Sequence, residues 1–177
     1  MTTPLRSPRD QGFTLIELLI VVAIIGIIAA FATPRLLRAR ATANEASAIG
    51  SLRAVATAED LFSKTCGASA YAISFTVLGT APPGSSVGFL SPDMALSPSP
   101  IKSGYQFTLA PGAGGVPGAI DCMGNATQTT FYATGFPQTF GVGGNRSFAL
   151  NTHQAIWQVT AALSPTEPFG PPAVPLR

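Results

Sequence analysis

The sequence predicts an α+β fold, a long N-terminal helix packed on a small antiparallel sheet, and three observations carry that expectation. A run without charge lies near the start, an Ala-rich amphipathic stretch continues it, and a turn-rich second half breaks into short strands. The punctuation is lopsided: 13 of the 16 prolines and 15 of the 18 glycines lie at or beyond Gly67, and no proline falls between Arg35 and Ala81. The 177 residues hold 10 Lys+Arg against 8 Asp+Glu, so 10% of the chain is charged, where soluble domains carry about a quarter. That deficit excludes a highly charged disordered tail, and a net charge of +2 excludes a domain that draws nucleic acid electrostatically.

Between Leu18 and Pro34 the run LLIVVAIIGIIAAFATP has no charged residue. As a helix, the stretch from Phe13 to Thr33 reaches roughly 30 Å, enough to cross a bilayer core. The polar leader MTTPLRSPRDQG precedes it, with Arg6 and Arg9 positive and Pro4 and Pro8 preventing a helix. Such a leader holds the amino terminus in the cytoplasm, whereas Arg35, Arg38 and Arg40 beyond the span argue for the reverse, so charge counting leaves orientation open. Glu17 interrupts the apolar block. A carboxylate there costs a few kcal/mol unless it snorkels or finds a partner, which reads either as a functional group or as a solvated residue at headgroup depth.

The string Gly12-Phe13-Thr14-Leu15-Ile16-Glu17, followed by LLIVVAIIGIIAA, resembles the class III signal of type IV prepilins and type II secretion pseudopilins. The resemblance covers roughly residues 1–60. It implies a type IV pilin-like ladle, cleavage by a membrane prepilin peptidase between Gly12 and Phe13, N-methylation of Phe13, and Glu17 as the assembly residue. Pro34 and Gly26 fall where that family tolerates helix softening. The implied partners are the peptidase, identical or related pilin subunits, the inner-membrane pilus or secretion machinery and membrane lipid, with no cofactor and no nucleic acid. The implied location is the bacterial inner membrane, single-pass with the amino terminus cytoplasmic and the head periplasmic, and then a filament. The chain is accordingly read as leader 1–12, transmembrane helix 13–33, amphipathic helix 34–64, head 65–163 and Pro-rich tail 164–177.

The same physics supports a charge pair at Glu17. When apolar helices pack together away from lipid, the carboxylate enters a drier environment and needs a partner. The ammonium of Phe13 on an adjacent subunit exists only after cleavage. Gly26 with Ala30, and Ala23 with Ala29, offer small surfaces for close helix approach. A rival reading takes Ala30-Phe31-Ala32 as a secretory cleavage site that releases a protein starting at Thr33. A further one is a secreted or singly anchored binding protein of the cell exterior that never polymerises. Within the resembled class, the second half lacks the Pro-Asp-Pro-Trp-Gly-like, calcium-associated segment of a major pseudopilin. The strand start Ser103-Gly104-Tyr105 resembles type IV pilin-like proteins instead.

Beyond Pro34, Ile49, Leu52, Val55, Ala56 and Phe62 recur at steps of three and four, while Arg53, Glu59, Asp60 and Lys64 mostly take the other side. This predicts an amphipathic helix that continues the apolar one, with Pro34 kinking rather than ending it. Arg35, Arg38 and Arg40 read as a solvated juxtamembrane face, or as contacts to lipid phosphates or acidic neighbours.

Facing an oxidising exterior, Cys66 and Cys122 are most simply a disulfide. Strand-like runs are Tyr105–Leu109, Thr129–Thr134, Arg146–Leu150 and Ala155–Thr160, the last two joined by a turn at Asn151–Gln154. They predict a meander of three or four strands across the amphipathic helix. Tyr71–Leu78 alternates but also suits a short helix or loop. Gly79–Pro100 and Pro111–Gly118 read as loops, and Ser164–Arg177 as an extended tail. No catalytic or metal-binding pattern emerges: the single histidine, His153, falls in a turn, the acidic residues lack EF-hand spacing, and GAGG and GVGG lack the Lys-Ser/Thr of a phosphate cradle. The chain reads as a structural protein rather than an enzyme.

Overall fold

A computed structural model describes residues 12–176. The leader 1–12 therefore lies outside the described residues except for Gly12. The chain divides into two units, Met1–Leu37 and Arg38–Arg177.

In the first unit the residues from Leu15 onward belong to α1, which is assigned over Leu15–Thr65. The apolar side chains from Leu15 to Phe31 are exposed on every face of the helix. A helix apolar all round is suited to lipid or to other helices, not to water. The helical assignment runs through Pro34. Pro34 supplies no N–H, and the hydroxyl of Thr33 just before it donates to the carbonyl of Ala29, one turn back, at 2.8 Å.

In the second unit the amphipathic stripe of α1 is buried as its spacing predicts. Leu52, Val55 and Phe62 are fully buried, Ala56 nearly so, and Ile49 packs against the same core. Six antiparallel strands lie in chain order: β1 Ile101–Lys102, β2 Tyr105–Pro111, β3 Phe131–Pro137, β4 Ser147–Asn151, β5 Trp157–Val159 and β6 Val174–Pro175. The simple meander matches expectation, but its three or four strands are six. The two added strands have two residues each, too short for any periodicity to announce them. They sit at the edges, where short strands and a proline discourage edge-to-edge pairing.

Tyr105 and Phe107 of β2, Phe131 and Ala133 of β3, and Phe148 and Leu150 of β4 form the buried inner face of the sheet. At Gly135 a Cβ would stand 2.9 Å from the Phe107 ring and 3.6 Å from Leu52, so a side chain there would push helix and sheet apart. The segment Tyr71–Leu78 resolves into a bridge between Tyr71 and Gln128 and a short helix α2, Phe75–Gly79, whose first turn is capped by the Ser74 hydroxyl. The stretch 79–100, read as loop, contains a one-turn helix α3, Pro92–Ala95, and delivers Leu90 and Met94 to the core.

The Pro-rich segment read as a separate tail is part of the fold. Together with Ala161 just before it, it straps the outer face of the sheet: Ser147 Oγ donates to the carbonyl of Ala161 at 2.6 Å, Tyr132 donates to that of Pro165, and Phe169 stacks on Trp157 with centroids 5.3 Å apart. Glu167 accepts from Asn151 Nδ2 at 2.6 Å and from the Ala113 amide at 2.7 Å. Outward-facing Ser147 and Ala149 consequently have 0% exposure, and Thr134 has 5%. Burial, and then the charge of Glu167, pushes the Tyr132 phenol up to about 12, so it remains a donor. Proline suits such a strap because it has no N–H left unpaired over a sheet whose own bonds are taken.

Two polar clusters were not legible in the sequence. Glu45, 6% exposed, accepts from the Asn145 amide and pairs with Arg146 at 2.7 Å, and Arg146 also donates to Gln158. Glu59, expected on the polar side with Arg53 and Lys64, is instead fully buried. Its Oε2 accepts from the Ala72 amide at 2.9 Å, while Oε1 has no partner among the described residues. The segment after α1 folds back over that face, which helical spacing alone does not reveal.

Burial pushes the Glu59 carboxyl up to about 8, against the weaker opposing pull of the Ala72 amide. The folded chain thus keeps a proton that the unfolded chain releases near its ordinary value of 4.5, so stability is full below that pH and falls as pH rises toward 8. Glu59→Gln, uncharged throughout, should be more stable than the parent by a few kcal/mol at pH 8, with the gain vanishing near pH 4.5. Denaturant unfolding of the full chain in detergent across that range measures the difference.

Cys66 and Cys122 form a disulfide, with Cα atoms 4.9 Å apart, that joins the residue after α1 to the loop before β3. The Cys122 amide also donates to the Cys66 carbonyl at 2.9 Å. In the chain-entropy model, closing a loop of this size contributes about 4 kcal/mol. Replacing both cysteines by serine should lower unfolding stability by roughly that amount, read from the shift in denaturant midpoint, and reductant should reproduce the shift in the parent only.

Candidate processing and assembly site

The predicted site residues Gly12, Phe13 and Glu17 lie at the start of α1. Gly12 is exposed, with no atom within 4 Å of where its Cβ would be, and Phe13 is exposed with it. Among the described residues, none covers the bond between them. Thr14 supplies the first helical acceptor: its carbonyl takes the Leu18 amide at 3.3 Å. Thr14 therefore occupies the N-cap and Glu17 the third helical position.

At these two positions the side chains close on each other. The Thr14 hydroxyl donates to Glu17 Oε2 at 2.6 Å, the Thr14 amide donates to the same oxygen at 3.0 Å, and the Glu17 amide donates to the hydroxyl at 3.3 Å. This is a capping box, in which side chains satisfy amides that the first helical turn leaves without partners. A carboxylate near the helix N-terminus is further favoured by the aligned peptide dipoles. The signal for it in the sequence is the Thr-x-x-Glu spacing ahead of an apolar run, which the reading of Glu17 as an assembly group or a solvated carboxylate leaves out.

Cys66 and Cys122 meet in the head, as described, and Pro34 lies within α1. His153 is exposed, its amide donating to Asn151 Oδ1 at 3.1 Å. Among the described residues no group of three His, Cys, Asp or Glu side chains converges on a point where a metal ion could bind. The Gly-rich runs form turns, with the Gly115 amide donating to Gly112 and the Gly143 amide to Thr139.

Residues 7–33 match the family model for the prokaryotic N-terminal methylation motif. Over 56 residues the chain is 50% identical to the type IV major pilin protein PilA of Myxococcus xanthus (strain DK1622), covering 32% of this chain and 26% of that protein. The aligned segment is thus about a quarter of that relative's length. No solved structure matches the chain. The motif and the identity support a type IV pilin family, and the long helix on a small antiparallel sheet is consistent with the pilin fold.

Thr14→Ala removes the capping hydroxyl, which costs about 1 kcal/mol at a helix start. Amide hydrogen exchange in detergent should quicken about fivefold at residues 15–18, and Thr14→Ser should restore the parent rate. Unchanged exchange in Thr14→Ala would show that the box does not stabilise this turn.

Proposed function

We propose that the chain is a structural, non-enzymatic subunit of a type IV pilin-like filament. Prepilin peptidase cuts between Gly12 and Phe13, Phe13 is N-methylated, and the subunit waits in the inner membrane with its amino terminus cytoplasmic and its head periplasmic. The observation that carries this reading is an apolar helix exposed on every face, with one carboxylate in its first turn, directly after a Gly-Phe bond that no described residue covers. The methylation motif over residues 7–33 supports the processing step.

Assembly exchanges one set of partners for another. In the single chain, Glu17 is satisfied by Thr14. In a filament the apolar helices cover each other, solvent screening falls, and the Phe13 ammonium of an adjacent subunit becomes the stronger partner for Glu17. An uncut chain has no ammonium at Phe13, so processing and assembly are coupled through one charge. Head-to-tail contacts that repeat without closing then generate a helical fibre.

Glu17→Ala should leave membrane insertion and cleavage intact and abolish filaments, because losing one partner of a buried pair costs about 3–5 kcal/mol per subunit. Mass spectrometry of the mature chain should find N-methyl-Phe at the terminus, and electron microscopy of sheared cells should show filaments in the parent but not in the variant. A mature chain starting at Thr33, or normal filaments from Glu17→Ala, overturns the reading. Filaments confined to the periplasm, together with an export defect on deletion, would assign the subunit to a secretion pseudopilus instead.

A further inference from the structure

We propose that Arg35, Arg38 and Arg40 bind the phosphates of anionic lipids, fixing how deep the waiting subunit sits in the bilayer. The proposal rests on the membrane-anchored reading above. All three arginines are exposed, and they follow in sequence directly after the apolar run that ends at Pro34. No acidic residue lies between Glu17 and Glu45 to neutralise them.

The distribution of carboxylates decides between lipid and protein as the partner. Among the described residues, Lys64 and Lys102 hold Asp60 and Asp93, and Arg146 holds Glu45, each at 2.7 Å. Asp121 accepts from amides of its own turn, Glu167 is tied to the Ala113 amide and Asn151, and Glu59 is buried. Glu17 is bound to Thr14 at the other end of the apolar run. Among its described residues, a second copy of this chain therefore offers only carboxylates that are buried or already partnered. Lipid phosphate is abundant at the depth where an apolar span ends, and guanidinium binds it bidentately at lower desolvation cost than an ammonium. Arg53 is also exposed and makes no ion pair among the described residues, but it lies 13 residues beyond Arg40. At about 1.5 Å per residue that is roughly 20 Å along α1, beyond a Debye length of about 8 Å from any surface that Arg40 touches.

The test uses the full chain in nanodiscs of equimolar phosphatidylglycerol and phosphatidylcholine with matched acyl chains, with the lipids retained on the protein counted by native mass spectrometry. A guanidinium near an anionic surface raises the local preference about fivefold, so three predict retention of the anionic lipid at least about tenfold over the zwitterionic one. The combined variant Arg35→Gln, Arg38→Gln, Arg40→Gln should lose that preference, and Arg53→Gln should keep it. Equal retention of the two lipids by the parent, or an unchanged preference in the triple variant, overturns the proposal. Displacement of phosphatidylglycerol by excess inorganic phosphate would also overturn it, by revealing a generic phosphate site. An alkaline carbonate wash separates the two readings. A chain stripped from the bilayer defeats the anchored subunit itself, whereas a chain that stays embedded without lipid preference defeats only the arginine site.

Discussion

The fold of residues 38–176 depends on one contact, the apolar stripe of α1 laid on the inner face of the sheet. Leu52, Val55 and Phe62 meet Phe107, Phe131 and Phe148 in a single buried core. A short meander of this kind has one apolar face and no stability of its own until that face is covered. The stripe on α1 likewise has no reason to be apolar without the sheet. Gly135 keeps the two close. The disulfide then ties the chain after α1 to the loop preceding β3, and the pair of Glu45 with Arg146 ties α1 to the start of β4.

Covering the inner face leaves the outer face to be settled, and the Pro-rich strap settles it. Ala149, Ser147 and Thr134 would be ordinary surface residues of a two-layer fold; here they are interior because residues 161–169 lie over them. The segment meets the sheet through acceptors: its carbonyls take the Ser147 and Tyr132 hydroxyls, and Glu167 takes the Asn151 side chain. It ends by supplying β6, paired with β5 at Trp157 and Gln158. The scarcity of charge in the second half follows in part from this arrangement, since both faces of a small sheet are covered and its strands carry few ionisable side chains.

Ionisable groups that do enter the interior are handled differently from one another. Glu45 is paired and hydrogen-bonded, so its charge is offset. Glu59 has one amide partner and one empty oxygen, and it answers burial by keeping its proton. Glu17 belongs to neither case. It is exposed in the single chain, held by Thr14 in a local box that satisfies first-turn amides. In the proposed filament that box is the resting state of a carboxylate whose final partner is on another subunit.

The helix, its continuation through Pro34 and its buried stripe were legible because period 3.6 over many residues is a strong signal, and the absence of charge in the apolar run is a physical requirement of lipid. The disulfide was legible from two cysteines and a compartment. The proposed processing site rests on six consecutive residues, Gly12 to Glu17. Tertiary structure alone decided the rest. Two-residue edge strands have no period to read, the burial of Glu59 depends on a segment that returns over the helix, and the partners of Glu45 lie about a hundred residues away. A string of prolines specifies an extended chain equally well in solvent and across a sheet. Local sequence determines the conformation of such a segment, but only packing against Tyr132, Trp157 and Asn151 decides where it lies.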